Sequence, residues 1–127
     1  MARAQSNHIS ASWDIMATVC ELAKTKATKN DGISFVPELL GKKQKAHEYL
    51  YWEFPGYGGQ KAIRMGKWKG YIQNIYKEGE ANMMLFDIEA DPREQNNLAA
   101  EHPNIVKTMR ENMTKAHVEP EFKGFAF

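Results

Sequence analysis

Apolar positions alternate through the middle of the chain and recur at helical spacing near both ends. In residues 47–54, Tyr49, Tyr51 and Glu53 fall on one side of an extended segment, and Leu50, Trp52 and Phe54 on the other. Aromatic residues on both sides predict a central strand covered on both faces. Pro55-Gly56 then signals a turn and Gly58-Gly59 a flexible loop, which would carry Tyr57 and Gln60 toward a ligand. Residues 62–64 and 68–72 read as two antiparallel strands joined at Gly66, where a tight hairpin needs a positive φ. Residues 73–82 read as a loop with a marginal strand around Ile75 and Tyr76. Residues 83–88 form the last strand.

The helical pattern is clearest after Pro103, which suits a first helical position. Ile105, Val106, Met109, Met113 and Ala116 make one stripe for packing on the sheet. Pro120 ends that helix, and residues 122–127 are an aromatic tail that docks or frays. Near the start, Ser10 or Ser12 is placed to cap a helix with Asp14 in its first turn. Trp13, Met16, Ala17, Cys20 and Ala23 lie on one side of it, and Ile15, Val19 and Leu22 on another. A helix apolar nearly all round predicts burial between two partners, and since one small domain can hardly supply both, part of it is expected to pack on something absent from this chain or on a second copy. Residues 33–41 read as a short helical turn stopped by Gly41. Asp91-Pro92 marks a turn, and residues 96–99 a short capped one.

These elements predict an α+β fold, a small antiparallel sheet of about four strands packed against a C-terminal helix, with an N-terminal helical arm. The arm and its loop are expected over 1–45 and the α+β subdomain over 46–127. With 127 residues, a compact core is expected but not a large enclosed active site. Seventeen basic and sixteen acidic side chains leave a net charge of +1, which gives no electrostatic footprint for nucleic acid or an anionic membrane. Apolar runs stay well below the ~20 residues that span a bilayer, and the first residues lack the apolar stretch of a signal peptide. Cys20 is alone, so no internal disulfide forms, and its apolar setting predicts a buried, inert thiol.

Self-contained catalytic sets are missing: there is no CxxC, HExxH, GxSxG or P-loop. None of His8, His47, His102 and His117 is spaced as a metal pair, so neither a catalytic nor a metal residue is assigned. His102 suits a helix start, and His117 a helix end, where a cation complements the dipole. The candidate ligand-contacting residues are His47, Glu53, Tyr57 and Gln60, all at or near the glycine-rich loop. Glu53 has a competing role in pairing with Arg64 or a lysine across the sheet. Trp52, Trp68, Tyr51 and Tyr71 offer either aromatic core or a stacking platform for sugar rings.

Four stretches together resemble one family. Residues 14–23 are similar to the D-x-x-P-T-x-x-E-L-A helix of the formylglycine-dependent sulfatases, with Ala17 where the family has proline. Residues 31–41 resemble their D-G-x-S-x-x-P-x-L-x-G segment. Residues 62–69 resemble A-V-R-x-G-x-W-K, and residues 85–99 resemble L-Y-D-L-x-x-D-P-x-E-x-x-N-L-A. The order is also the family's, and the likeness is to the C-terminal region of a bacterial arylsulfatase-like enzyme.

That resemblance implies a parent enzyme hydrolysing sulfate esters, of glycans among others, with a formylglycine nucleophile and calcium. The C/S-x-P-S-R motif that furnishes the formylglycine is missing here, as are the calcium and sulfate ligands, which the family carries upstream. The implied partner is the missing N-terminal sulfatase domain, the implied role a scaffold and pocket wall inactive alone, and the implied location periplasmic or secreted. Exposed apolar residues on the first helix would also predict a homodimer. Two rival readings are a stand-alone carbohydrate-binding or scaffold module using Trp52, Tyr57 and Trp68, and a phosphoryl-transfer enzyme of the alkaline phosphatase superfamily.

Overall fold

The computed structural model describes residues 5–126. They divide into two units, the first ending at Glu48 and the second starting at Tyr49. The first unit holds α1 (Asp14–Leu22) and the single turn α2 (Val36–Leu39). Neither Ser10 nor Ser12 caps α1; Trp13 is the capping residue and makes no side-chain cap bond. The Asp14 carboxylate does the work instead, from inside the helix. Its Oδ2 accepts the Ala11 N–H at 2.8 Å, and its Oδ1 accepts the Ile33 N–H at 2.8 Å.

One turn on, the Thr18 hydroxyl donates to the Asp14 carbonyl and accepts the Phe35 N–H. Asp14 and Thr18 are therefore the residues α1 buries. Ile15, Met16, Val19 and Leu22 are each more than half exposed, an apolar face with no cover among the described residues of this unit, and Cys20 is half-buried, against the expectation of a buried thiol. This polar pair fixes the inward side of the helix by satisfying the backbone donors of Ile33 and Phe35. Both helices stop in the same way. The N–H groups of Lys24 and Thr25 bond to Glu21 and Cys20, and those of Gly41 and Lys42 to Glu38 and Pro37. Gly41 takes the left-handed position easily, whereas Lys24 takes it at φ 56° with a side chain attached.

The second unit is an antiparallel meander with α4 across one face. Strands β1 (Leu50–Phe54), β2 (Gln60–Met65), β3 (Trp68–Ile72) and β4 (Met84–Asp87) lie in the order β1-β2-β3-β4. β1 is thus an edge strand, not the central one its aromatic content suggested, and Trp52 and Phe54 are exposed. The β2–β3 hairpin turns at Gly66 and Lys67, with a positive φ at Gly66 alone, the type II′ arrangement. The expected marginal strand at Ile75 and Tyr76 is instead a helical turn, α3 (Ile75–Glu78), entered through Asn74 in the left-handed region.

The core lies between the sheet and α4 (Pro103–Ala116). Ile63, Ile72, Leu85 and Met109 are fully buried, joined by Ile75, Met83 and Met113. Tyr49, Tyr51, Met65 and Trp68 pack around them. Residues 87–99 fold through their own polar side chains. Asp87 accepts the N–H groups of Glu89 and Ala90, and Asp91 those of Gln95 and Asn96. Asn97 accepts the Leu85 N–H, and Leu98 donates to the Leu85 carbonyl, closing that side of β4. The D-P-x-E-x-x-N-L stretch is therefore turn-building chemistry. A 3₁₀ turn, Lys123–Phe125, follows α4, and Phe127 lies outside the described residues.

Candidate functional site

The loop between β1 and β2 is clamped, not flexible. Tyr57, Gly58 and Gly59 all have positive φ. The carbonyls of Gly58 and Gly59 accept the N–H groups of Tyr76 and Ile75 at 3.0 and 3.2 Å, so the loop also supplies partners to the start of α3. A Cβ on Gly59 would sit 3.3 Å from the Ile75 Cβ and 3.4 Å from the Tyr76 ring. Gly59→Ala is therefore expected to cost about 1–3 kcal/mol, through φ strain at +79° and crowding of α3. A urea midpoint equal to that of the parent chain would contradict this.

The clamped loop aims Tyr57 outward, 84% exposed, with its ring 6.1 Å from that of Phe54. Gln60 pairs with Phe54 across the strands, and its side-chain oxygen accepts the Tyr71 hydroxyl at 2.9 Å. Strand alternation and register put Trp52, Phe54, Gln60 and Tyr71 on the sheet face away from α4. This face, with Tyr57 at its rim, combines aromatic surface with an amide and two phenols, groups suited to polar rings such as sugars.

Glu53 points the other way. It stands opposite Lys61 on the helix side. It accepts the Tyr51 hydroxyl and, at 2.6 Å, His117 Nδ1, and Lys61 Nζ lies 3.8 Å away. Lys61 also bonds Glu80 at 2.6 Å. The pairing across the sheet is thus with Lys61, while Arg64 bonds the Gly66 carbonyl. Burial works to raise the Glu53 pKa, but the bonds from Tyr51 and His117 and the Lys61 charge outweigh it and hold the carboxyl below its ordinary range. Burial, then the bond to Glu53, pushes the Tyr51 phenol well above its usual value. A carboxylate so engaged is poorly placed to receive a ligand.

His47 belongs to the first unit, where its Nε2 lies 2.8 Å from Asp14 Oδ1. Within the second unit, Tyr57 and Gln60 border one face of the sheet and Glu53 lies on the opposite face; within the first, His47 is tied to Asp14. Trp68 meets the His102 ring at a tilt, 4.8 Å between centroids, within the helix-side packing, and Tyr51 also packs there, so neither shares a platform with Trp52 and Tyr71. The Tyr51–Glu53–His117 cluster is only half visible in the sequence: alternation puts Tyr51 and Glu53 on one strand face, but His117 is 64 residues from Glu53. No group of three or more metal-ligating side chains occurs among the described residues, and no helix among them is long and apolar enough to cross a membrane.

Comparison with known proteins gives the frame for this geometry. The N-acetylgalactosamine-6-O-sulfatase of Bacteroides thetaiotaomicron is 28% identical over 111 residues, which cover 77% of this chain and 21% of that enzyme. The structure of Ps i-CgsB in complex with a neocarrahexaose superposes with a TM-score of 0.71 at 26% identity, over 85% of this chain and 24% of that one. The phosphonate monoester hydrolase of Agrobacterium radiobacter shares the fold, with a TM-score of 0.67 at 20% identity, over 87% of this chain and 25% of that one. The chain thus spans about a fifth to a quarter of the length of these relatives. Residues 1–119 match the C-terminal family of N-sulphoglucosamine sulphohydrolase. With the four ordered motifs and the helix-backed meander they build, that match makes the chain a member of this sulfatase C-terminal family, homologous to glycan sulfatases.

Proposed function

We propose that the chain acts as the C-terminal subdomain of a sulfatase that hydrolyses a sulfate ester on a glycan, and that it forms a wall of the substrate pocket. The carrying observation is the clamped loop that projects Tyr57 beside Phe54 and Gln60. The substrate class is supported by the sulfated-sugar name of the curated relative and by the neocarrahexaose bound to i-CgsB. The bond-breaking groups, a formylglycine and calcium with its ligands, would come from an upstream α/β domain. The exposed apolar side of α1 (Ile15, Met16, Val19 and Leu22) would pack on that domain, and without it on a second copy. A periplasmic or secreted location fits the same reading. A stand-alone sugar-binding module is the weaker reading, because Trp68, one of its three aromatic residues, lies in the helix-side packing.

The test uses the longer protein that includes the upstream domain. Tyr57→Ala and Gln60→Ala are each expected to lower kcat/KM on a sulfated oligosaccharide about three- to tenfold, the loss of one aromatic or polar contact. Turnover of a small aryl sulfate, which does not reach the loop, should change less than about twofold. Unchanged kcat/KM on the oligosaccharide in both variants would refute the pocket-wall role. Sulfatase activity of the 127-residue chain alone would refute the division of labour.

A further inference from the structure

The chain leaves α4 at His117, whose φ of −60° and ψ of 134° are extended while its N–H still bonds the Met113 carbonyl. Its ring lies between carboxylates. Nδ1 is 2.6 Å from Glu53 Oε1, and Nε2 is 3.3 Å from Glu119 Oε1. A neutral imidazole has one N–H and can serve one of them; the imidazolium has two and serves both. The charged and titratable groups around it are Tyr51 and Glu53 from β1, Lys61 from β2, Glu80 behind Lys61, and Glu119 on its own segment. Beyond it, Val118, Phe122 and Phe125 are mostly exposed, so His117 is the principal anchor at the base of residues 118–126.

We propose that His117 is a proton-operated latch: as an imidazolium it bridges Glu53 of the edge strand β1 to Glu119 of the segment beyond α4, and loss of one ring proton leaves an N–H for only one of them and opens the bridge. Histidine is the side chain whose ordinary titration falls between about pH 5 and 8. Deprotonation also removes the positive charge between Glu53 and Glu119, and among the described residues Glu53 keeps only the Lys61 ammonium, 3.8 Å away, as a cationic neighbour. The bond to Glu53, foremost, and then that carboxylate's charge raise the His117 pKa above 6.5. Because the folded value is raised, the latch is fully made below pH 6.5 and is lost as pH climbs through the folded value. Glu53, held below its ordinary 4.5, keeps the other half of the pair charged down through the acid side.

The experiment is a pH titration of the ¹⁵N-labelled chain from about pH 5.5 to 9, following the His117 ring nitrogens and the heteronuclear NOE of residues 118–126. The ring midpoint is expected above that of free histidine, with loss of the NOE at the same midpoint. Glu53→Gln should lower the midpoint toward the free value and bring the loss of NOE with it. His117→Gln should show the low NOE at every pH. Should His117→Gln fail to fold, the Glu53→Gln shift carries the test alone. A midpoint at or below that of free histidine, an NOE that ignores the ring titration, or an unmoved midpoint in Glu53→Gln would each overturn the latch. None of these readouts depends on sulfatase activity.

Discussion

Replacing Asp14 by alanine is expected to destabilise the first unit by about 3–5 kcal/mol, the usual cost of removing one partner from a buried, hydrogen-bonded charge. Asp14 is fully buried, and three donors converge on its carboxylate: the N–H groups of Ala11 and Ile33, and His47 Nε2. Alanine leaves all three short of a partner in a place water does not reach. So small a unit has little more stability than that to lose. Asparagine keeps the size but turns an NH₂ group toward a donor, so Asp14→Asn should recover only part of the loss. The readout is amide exchange at Ile33 and Phe35, which bond to Asp14 and Thr18. Wild-type protection at both positions in Asp14→Ala would sink the claim. The same carboxylate sets an acid limit. Burial works to raise its pKa, but the two backbone bonds and His47 prevail and lower it below 3.8. Its contribution is thus present above pH 3.8 and is lost as pH falls through the lower folded value.

Much of this arrangement was legible in the sequence, and the failures have physical causes. The four strands, the hairpin at Gly66 and the stripe of α4 follow from alternation and helical spacing, because those patterns answer to one buried face. Strand order does not, so aromatic content alone misplaced β1 at the centre of the sheet. The α3 turn reads in sequence as a loop with a marginal strand, because the partners of its first two N–H groups are the carbonyls of Gly59 and Gly58, on a loop distant in the chain. The apolar character of α1 follows from the sequence, but which side faces inward does not, since Asp14 and Thr18 decide it through bonds to residues 11, 33 and 35. Among the candidate contact residues, Tyr57 and Gln60 share a border because they flank one loop. Glu53 and His47 bond to His117 and Asp14, partners that proximity in sequence cannot reveal.

Met109→Ala is expected to cost about 2–5 kcal/mol, as do other large-to-small changes at fully buried positions, and its loss should be less than additive with that of Gly70→Ala. Gly70 lies mid-sheet beneath α4, paired with Ile63 and Leu85. A Cβ there would stand 2.8 Å from Met109 Sδ, 3.0 Å from Ile63 Cγ2 and 3.3 Å from Met83 Sδ. Glycine usually weakens a strand, yet here it makes room for the methionine through which α4 seats on the sheet. Gly70→Ala alone overpacks that contact and should cost about 1–3 kcal/mol. The Met83 thioether can shift, but Ile63 is β-branched and stiff, so part of the penalty survives any rearrangement. In the double variant the added methyl meets the cavity left by the shortened Met109 side chain. Its loss should fall short of the sum of the two single losses by about 1 kcal/mol. Urea denaturation of the four chains measures the cycle. Strict additivity would mean that the sulfur and the glycine do not share one space, and that α4 is seated by other contacts.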